Sequence, residues 1–530
     1  MNIAKAFGDL FEVTAMMVIL FTVGVACGSR EDPCALVASQ KITVYQMAME
    51  CYRNFKLERK VKSSTLDTLR RTISLVSLNP KVSSILHDGL VEIEKETFLN
   101  EYDFHTKLSA LYSIEEIKYD SGCFSSFVFH LPLELVVKRQ DDRMVVKIST
   151  FMSYSEDLLP HWNHFGFDAK ALQGKEVKKI DSQHAILYLV DLANKQDSLH
   201  FNALLSRAIL RGGTWTLEPG SFARSNYPPK SSHLMVEFDG GEVIYFPFLV
   251  TIPQGFNDSF SFYKNMCMTK PTVDEYAPNQ ELVIIDQKKA VFVISDFSDI
   301  YSWEKQVYNT LMHIGSVNAD ELVLDLRDSS GDYFCGSYHL AEYLTSNLTR
   351  KHFPLYFPNF PLIDTISTKC RLATNPCSQI FTALKATQCG PSFLKGLPPL
   401  HNVASIKLIT NGICDGACAI LVHSLLQPES AELYFLGPPI IQPAVGPSGT
   451  PFSLKQLSGL MLLAEVGSDI QIPPLPTGAD LYFSLAHPYT TIRTKKFLLD
   501  QLPPGVIYHI NDSDQIAFNP INLWKNVLRM

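Results

Sequence analysis

The rhythm of apolar and polar positions changes twice along this chain. From about Asp32 to Tyr112 apolar residues recur at helical spacing. The clearest case is VKSSTLDTLRRTISLVSL, Val61 to Leu78, with Ser64 or Thr65 as candidate N-cap. The period then shortens toward two. LPLELVVK and DRMVVKIST, Leu131–Lys138 and Asp142–Thr150, predict short strands about a charged turn. HLMVEFDGGEVIYFPFLV, His233–Val250, predicts a hairpin through Asp239, Gly240 and Gly241. Between them GKEVKKIDSQHAILYLVDLANK predicts strand, turn and amphipathic helix, and a loop with Pro253, Gly255 and Asn257 closes the region.

In the second half continuous apolar runs alternate with helical patterns. AVFVISDF (Ala290–Phe297) precedes a helix carrying Trp303, Val307 and Leu311. ELVLDLRDSSGDY leads into a second helix, SIKLITNGICDGACAILVHSLL into a third, and AELYFLG is a further strand. Buried strands joined through helices imply crossover units on a largely parallel sheet. The fold class expected is therefore multi-domain α/β: a helical N-terminal module, a β-rich module and a crossover βα core. Sites in such sheets lie at the carboxyl ends of the strands. The turns with Gly331 and Gly416 both fall there, the second at the start of a helix, where free N–H groups favour developing negative charge. That turn offers Asp415, Gly416 and Ala417. Asp415 is the expected N-cap.

Composition narrows the function classes without choosing one. The 530 residues are 46% apolar and 19% charged with net charge −8, which leaves no basic footprint for nucleic acid. Val13 to Ala26 is an uncharged apolar run followed by small residues, read as a secretory signal over residues 1–27. An uncleaved anchor is the alternative, because Asp9 and Glu12 accompany Lys5. Without Cys27, ten of the eleven cysteines remain, an even number suited to an oxidising compartment. Cys34 and Cys51 form a plausible local pair. Asn257, Asn347 and Asn511 head glycosylation triplets. The localisation expected is extracellular.

The order AVFVISDF, ELVLDLRDSSGDY, LITNGICDGACAILVHSLLQ resembles the tail-specific (C-terminal processing) serine peptidases, most closely secreted fungal members related to the chlamydial protease-like activity factor (CPAF). EDPCALVASQKITVYQMAMECY looks like the opening helical module of those proteins, YDFHTKLSALYSIEEIKYDSGCFSSFVFHLPLEL like their next segment, and VKKIDSQHAILYLVDLANK like their PDZ-like domain. The resemblance implies an N-terminal module over 32–135, a PDZ-like domain over 139–251 and a peptidase core of the ClpP/crotonase-like type over 280–526. It implies no cofactor and no metal, and polypeptide as substrate or ligand.

In that family a Ser on the strand–helix turn attacks the scissile carbonyl, a His takes its proton, a carboxylate orients the His and turn N–H groups hold the oxyanion. Carried onto this chain, the nucleophile position, midway between Cys414 and Cys418, is Gly416. The base position, counted back from Tyr119 and Cys123, is Glu116. The acidic position is Asp500, and Gly331 and Ala417 supply the oxyanion backbone. Gly416 has no side chain and Glu116 no imidazole, so the resemblance implies a pseudopeptidase. Four other readings stay open. Cys414 or Cys418 with His423 is an alternative thiol nucleophile, and the same three are an incomplete zinc set. The remaining two are an active serine or cysteine endopeptidase in another register and a structural secreted protein without ligand. His105 in DFHTKL reads as a surface or packing histidine, and Ser329 and Ser330 as alcohols without a base.

Overall fold

A computed structural model describes residues 31–76, 80–112, 117–141, 143–149, 157–194, 201–209, 211–213, 217–268, 281–285, 288–297, 300–331, 333–345, 392–426, 431–437, 451–453, 472–473, 475–484, 489–491, 496–497, 506–509 and 519–529. Glu116, Asp500, Asn347, Asn511 and the whole of 1–27 lie outside these residues.

A six-stranded sheet organises the C-terminal half: β1 (Glu281–Ile285), β2 (Lys289–Val293), β3 (Glu321–Asp325), β4 (Ser405–Thr410), β5 (Glu432–Gly437) and β6 (Val506–His509). Spatial order equals sequence order. β1 runs antiparallel to β2, and every later neighbour is parallel. Crossovers that advance one strand at a time with constant hand set their helices on one face. Helices α1 (Ile300–Ser316), α2 (Phe334–Thr345) and α3 (Ala417–Leu426) do so. Their Trp303, Val307, Leu311, Leu340 and Leu421 join Phe292, Leu322, Leu324 and Leu408 in one buried cluster. The alternate positions Val291, Val293, Val323 and Ile409 face the other way, against Leu523, Trp524, Val527 and Leu528 of α4 (Pro520–Arg529). Covering on both faces explains why these strands read as continuous apolar runs. Lys289 and Lys407 reach round the sheet to the α4 carbonyls of Leu528 and Val527, each at 2.9 Å, and both pair with Glu321 at 3.1 Å.

The N-terminal half is less divided than its patterning implies. Helices span Pro33–Ala38, Tyr45–Arg53, Arg59–Val76, Pro80–Lys95 and Glu101–Leu111. Ser64 and Thr65 are not caps: the helix begins at Arg59, and the Thr65 hydroxyl donates back to the Val61 carbonyl at 2.8 Å. The β-rich sheet runs 243–247, 233–238, 176–180, 143–148, 135–140 in space, with helix Ala185–Asn194 packed on it. Gly240 and Gly241 turn its hairpin at φ 90° and 84°, a region closed to most side chains. Leu249–Thr251 leaves this sheet to pair with Ile42–Val44 and Val128–His130. One buried cluster runs from Val37 and Tyr52 through Phe127 to Leu189 and Phe238. The helices Pro33–Ala38 and Tyr45–Arg53, with Tyr102 of Glu101–Leu111, thus share a core with the β-rich sheet.

Candidate functional site

The carboxyl ends of β3 and β4 meet below the start of α3. The backbone ladder continues past both strands: Leu326 N–H donates to Ile409 O at 2.8 Å, Ser329 N–H to Ile413 O at 3.1 Å and Asp415 N–H to Ser329 O at 2.9 Å. Asn411 holds its own turn, its side-chain oxygen accepting from Ile413 N–H at 3.1 Å and Asp328 N–H at 3.3 Å. Gly412, Gly416 and Gly331 adopt φ of 86°, 60° and 140°. A Cβ on Gly331 would lie 2.6 Å from the Phe297 carbonyl carbon, so this turn excludes any larger residue.

Gly416 stands between strand and helix in the left-handed region. Any L-residue there costs ~1–2 kcal/mol. Nothing but hydrogen projects from it. Ala417 and Gly331, expected as oxyanion donors, are bonded to each other instead: the Ala417 N–H donates to the Gly331 carbonyl at 2.8 Å. An N–H already held by a neighbouring carbonyl cannot be pre-aimed at a developing oxyanion, which corrects that expectation for Ala417. Ser337 on α2 donates to the Ala417 carbonyl at 2.7 Å and fastens the two helices together.

Cys414 and Cys418 form a disulfide across the turn, so neither sulfur is a thiolate or a metal ligand in this structure. His423 is buried at 3% exposure within α3. The thiol and zinc readings therefore lack their sulfurs. Further disulfides join Cys34 to Cys51 and Cys123 to Cys267. Asp415 is not an N-cap either. Its carboxylate pairs with Arg207 on the helix Phe201–Ala208. Ser329 is fully buried, and Ser330 bridges to Asp296 through the backbone. His105 is a packing rather than a surface histidine: it is fully buried, its Nδ1 2.6 Å from the Tyr119 hydroxyl, and burial pushes its pKa down to about 3. Asn257, by contrast, is exposed in the loop ahead of helix Ser259–Phe262.

Two features of the site escaped the sequence reading. At the end of β3, the fully buried Arg327 makes a multiply bonded pair with Asp325, with Nε–Oδ1 at 2.9 Å and a terminal nitrogen 2.6 Å from Oδ2. Its other terminal nitrogen donates to Gly213 O at 2.7 Å, and Trp524 Nε1 donates to Asp325 Oδ2 at 2.7 Å. The only available signal was the charge pattern in LDLRD at the end of an apolar strand. The second feature is the covering of the turn. Asn411, Cys414, Ala417 and Cys418 are all fully buried, and the Ser206 hydroxyl lies 3.2 Å from where a Gly412 Cβ would stand. The helix Phe201–Ala208, which follows the β-rich unit's main helix, sits over the strand ends.

No family model matches the chain, and no curated protein matches it by sequence. Among solved structures it is similar to mature CPAF, at 12% identity over 88% of this chain and 97% of that one, with a TM-score of 0.48. The photosystem II D1 C-terminal processing protease is similar at 10% identity over 88% and 97%, TM-score 0.35. A putative S41 protease from Bacteroides fragilis is similar at 11% over 76% and 83%, TM-score 0.30.

Proposed function

We propose that this chain is a secreted, CPAF-like relative of the tail-specific serine peptidases that has lost peptide hydrolysis and acts by binding polypeptide. The motif order in the sequence supports the family, with the β-rich unit in the place of the PDZ-like domain and the sheet of β1 to β6 in that of the peptidase core. The observation that carries the loss is the Gly416 turn. It presents no nucleophile, the Ala417 N–H is engaged by Gly331 and both flanking sulfurs are in a disulfide. Removing members of a Ser–His pair costs on the order of 10⁶ in turnover, so no useful hydrolysis remains without a new mechanism. Backbone pairing with an extended chain needs neither residue. The disulfides in the described residues support export.

The test is to incubate the purified, oxidised chain with an unfolded protein substrate and, separately, with fluorophosphonate and iodoacetamide probes. The expected result is binding without cleavage and no label between 411 and 426. A single labelled hydroxyl or thiol whose substitution abolishes cleavage would establish an active peptidase in another register.

A further inference from the structure

Glu101 is a carboxylate that the reading above does not use. It is the first residue of the helix Glu101–Leu111 and is only 2% exposed. The Tyr263 hydroxyl, on the π-helical turn Tyr263–Met268, stands 3.3 Å from both of its oxygens. The Glu101 N–H donates to Phe55 O at 2.8 Å, and the Phe55 ring packs 5.4 Å from the Tyr263 ring. Three elements therefore close on one acid: its own helix, the Phe55 loop and the π-helical turn.

The charges around it do not help it ionise. Exposed Glu58, from the Phe55 loop, repels both the Glu101 carboxylate and a Tyr263 phenolate. Arg53, at the end of the preceding helix, is 3.8 Å from Asp103 and lies over the Tyr102 ring. Tyr119, on the strand behind, is a neutral phenol pushed far up by burial. Burial raises Glu101 to about 7, opposed by the Tyr263 hydrogen bond and reinforced by Glu58. The favourable helix N-terminus does not outweigh that desolvation.

The π-helical turn is well placed to transmit a change. Its Cys267 is bonded to Cys123, and the Cys267 carbonyl is so close to Gly478 that a Cβ there would collide with it. The same turn is the last described stretch of chain between the β-rich unit and β1. We propose that Glu101 and Tyr263 form a protonation-controlled latch, fastening the passage from the β-rich unit into the core onto the N-terminal helices. Protonated, Glu101 sits neutral in its apolar surroundings with the phenol beside it. Ionised, it is a buried charge next to a second carboxylate, and opening the turn to water relieves it. A folded value raised above the ordinary 4.5 means that the latch weakens as pH rises from 4.5 to about 7 and changes no further above that. The latch is independent of whether the core hydrolyses peptides.

Hydrogen exchange on the full oxidised chain from pH 5 to 8.5, corrected for the intrinsic rate at each pH, tests it. Protection over residues 259–268 should fall by about a hundredfold and level off near pH 7, following the size of the shift. Glu101→Gln should give a flat profile. Glu58→Gln, at an exposed position that leaves the packing intact, should move the levelling point to lower pH, and it decides the matter if Glu101→Gln does not fold. A flat profile in the unaltered chain, a profile that survives Glu101→Gln or a levelling point that Glu58→Gln leaves in place would each overturn the latch.

Discussion

β3 and β4 are parallel neighbours in one sheet, yet they end in opposite ways. β3 ends in charge: Asp325 and Arg327, both buried, are paired with each other and tied to Trp524 on one side and Gly213 on the other. β4 ends in a near absence of side chain, at Gly412 and Gly416, closed by a disulfide and covered by Arg207. The polar chemistry that a reader expects above the helix N-terminus has been placed one strand away, where it joins three parts of the chain. A strong charge at the carboxyl end of a parallel strand is thus no evidence of catalysis until its partners are known. Here the partners described for Arg327 are fixed groups of the protein.

The largest effect that would break this contrast lies at Arg327. Arg327→Met leaves Asp325 buried without its counter-ion and should cost ~3–5 kcal/mol in a urea unfolding curve. The double variant Asp325→Leu with Arg327→Met should lose less than the single one, since no charge is then stranded. A larger loss in the double would mean that the pair stabilises beyond its own desolvation. Next, Arg207→Ala should cost ~1.5–3 kcal/mol by leaving the mostly buried Asp415 carboxylate unpaired. It should also raise proteolytic access to the chain near 411–417, read by mapping the cut sites. A neutral Arg207→Ala would mean that the covering of the turn rests on apolar packing alone.

Gly416→Ser sharpens the comparison from the other strand. The left-handed φ makes it ~1–2 kcal/mol less stable, and hydrolysis of an unfolded substrate should stay at background. Turnover appearing in this variant would show that a base is already in place. The smallest effect belongs to Glu321, at the other end of both strands. Burial alone would push its pKa up, but hydrogen bonds from Lys289 and Lys407 hold it below the ordinary 4.5. Its contribution is therefore present above pH 4.5 and lost as pH falls through the folded value. Lys407→Met should flatten that acid limb by ~1 kcal/mol or less, in thermal melts between pH 3 and 6.

Much of the core was legible in the sequence because β2 to β5 are buried on both faces and so read as unbroken apolar runs, and α1 keeps a plain helical period, whereas α3 is buried all round and showed only as an apolar run after a Gly turn. The hairpin at Asp239 was legible because two successive left-handed residues demand glycine. Less visible were β1, β6 and α4, which are short or lie beyond the region where the pattern repeats. The site divided in the same manner. The turn and its missing side chain at Gly416 were local facts. That Asp415 pairs with Arg207, that Ala417 N–H meets Gly331 and that Asp325 receives Trp524 are contacts between segments up to 208 residues apart, which spacing does not encode. Thr65 misled for a related reason: a hydroxyl tolerated inside a helix by back-bonding looks like a cap when only the sequence is read.

The bond between Ala417 and Gly331 also decides how this corner of the molecule can move. The Ala417 N–H is held by the Gly331 carbonyl at 2.8 Å, the Cys414 and Cys418 sulfurs are joined, and Arg207 is paired to Asp415. The start of α3 is thus tied to three different segments, and a shift that frees one tie strains the other two, so the strand end behaves as a stiff joint.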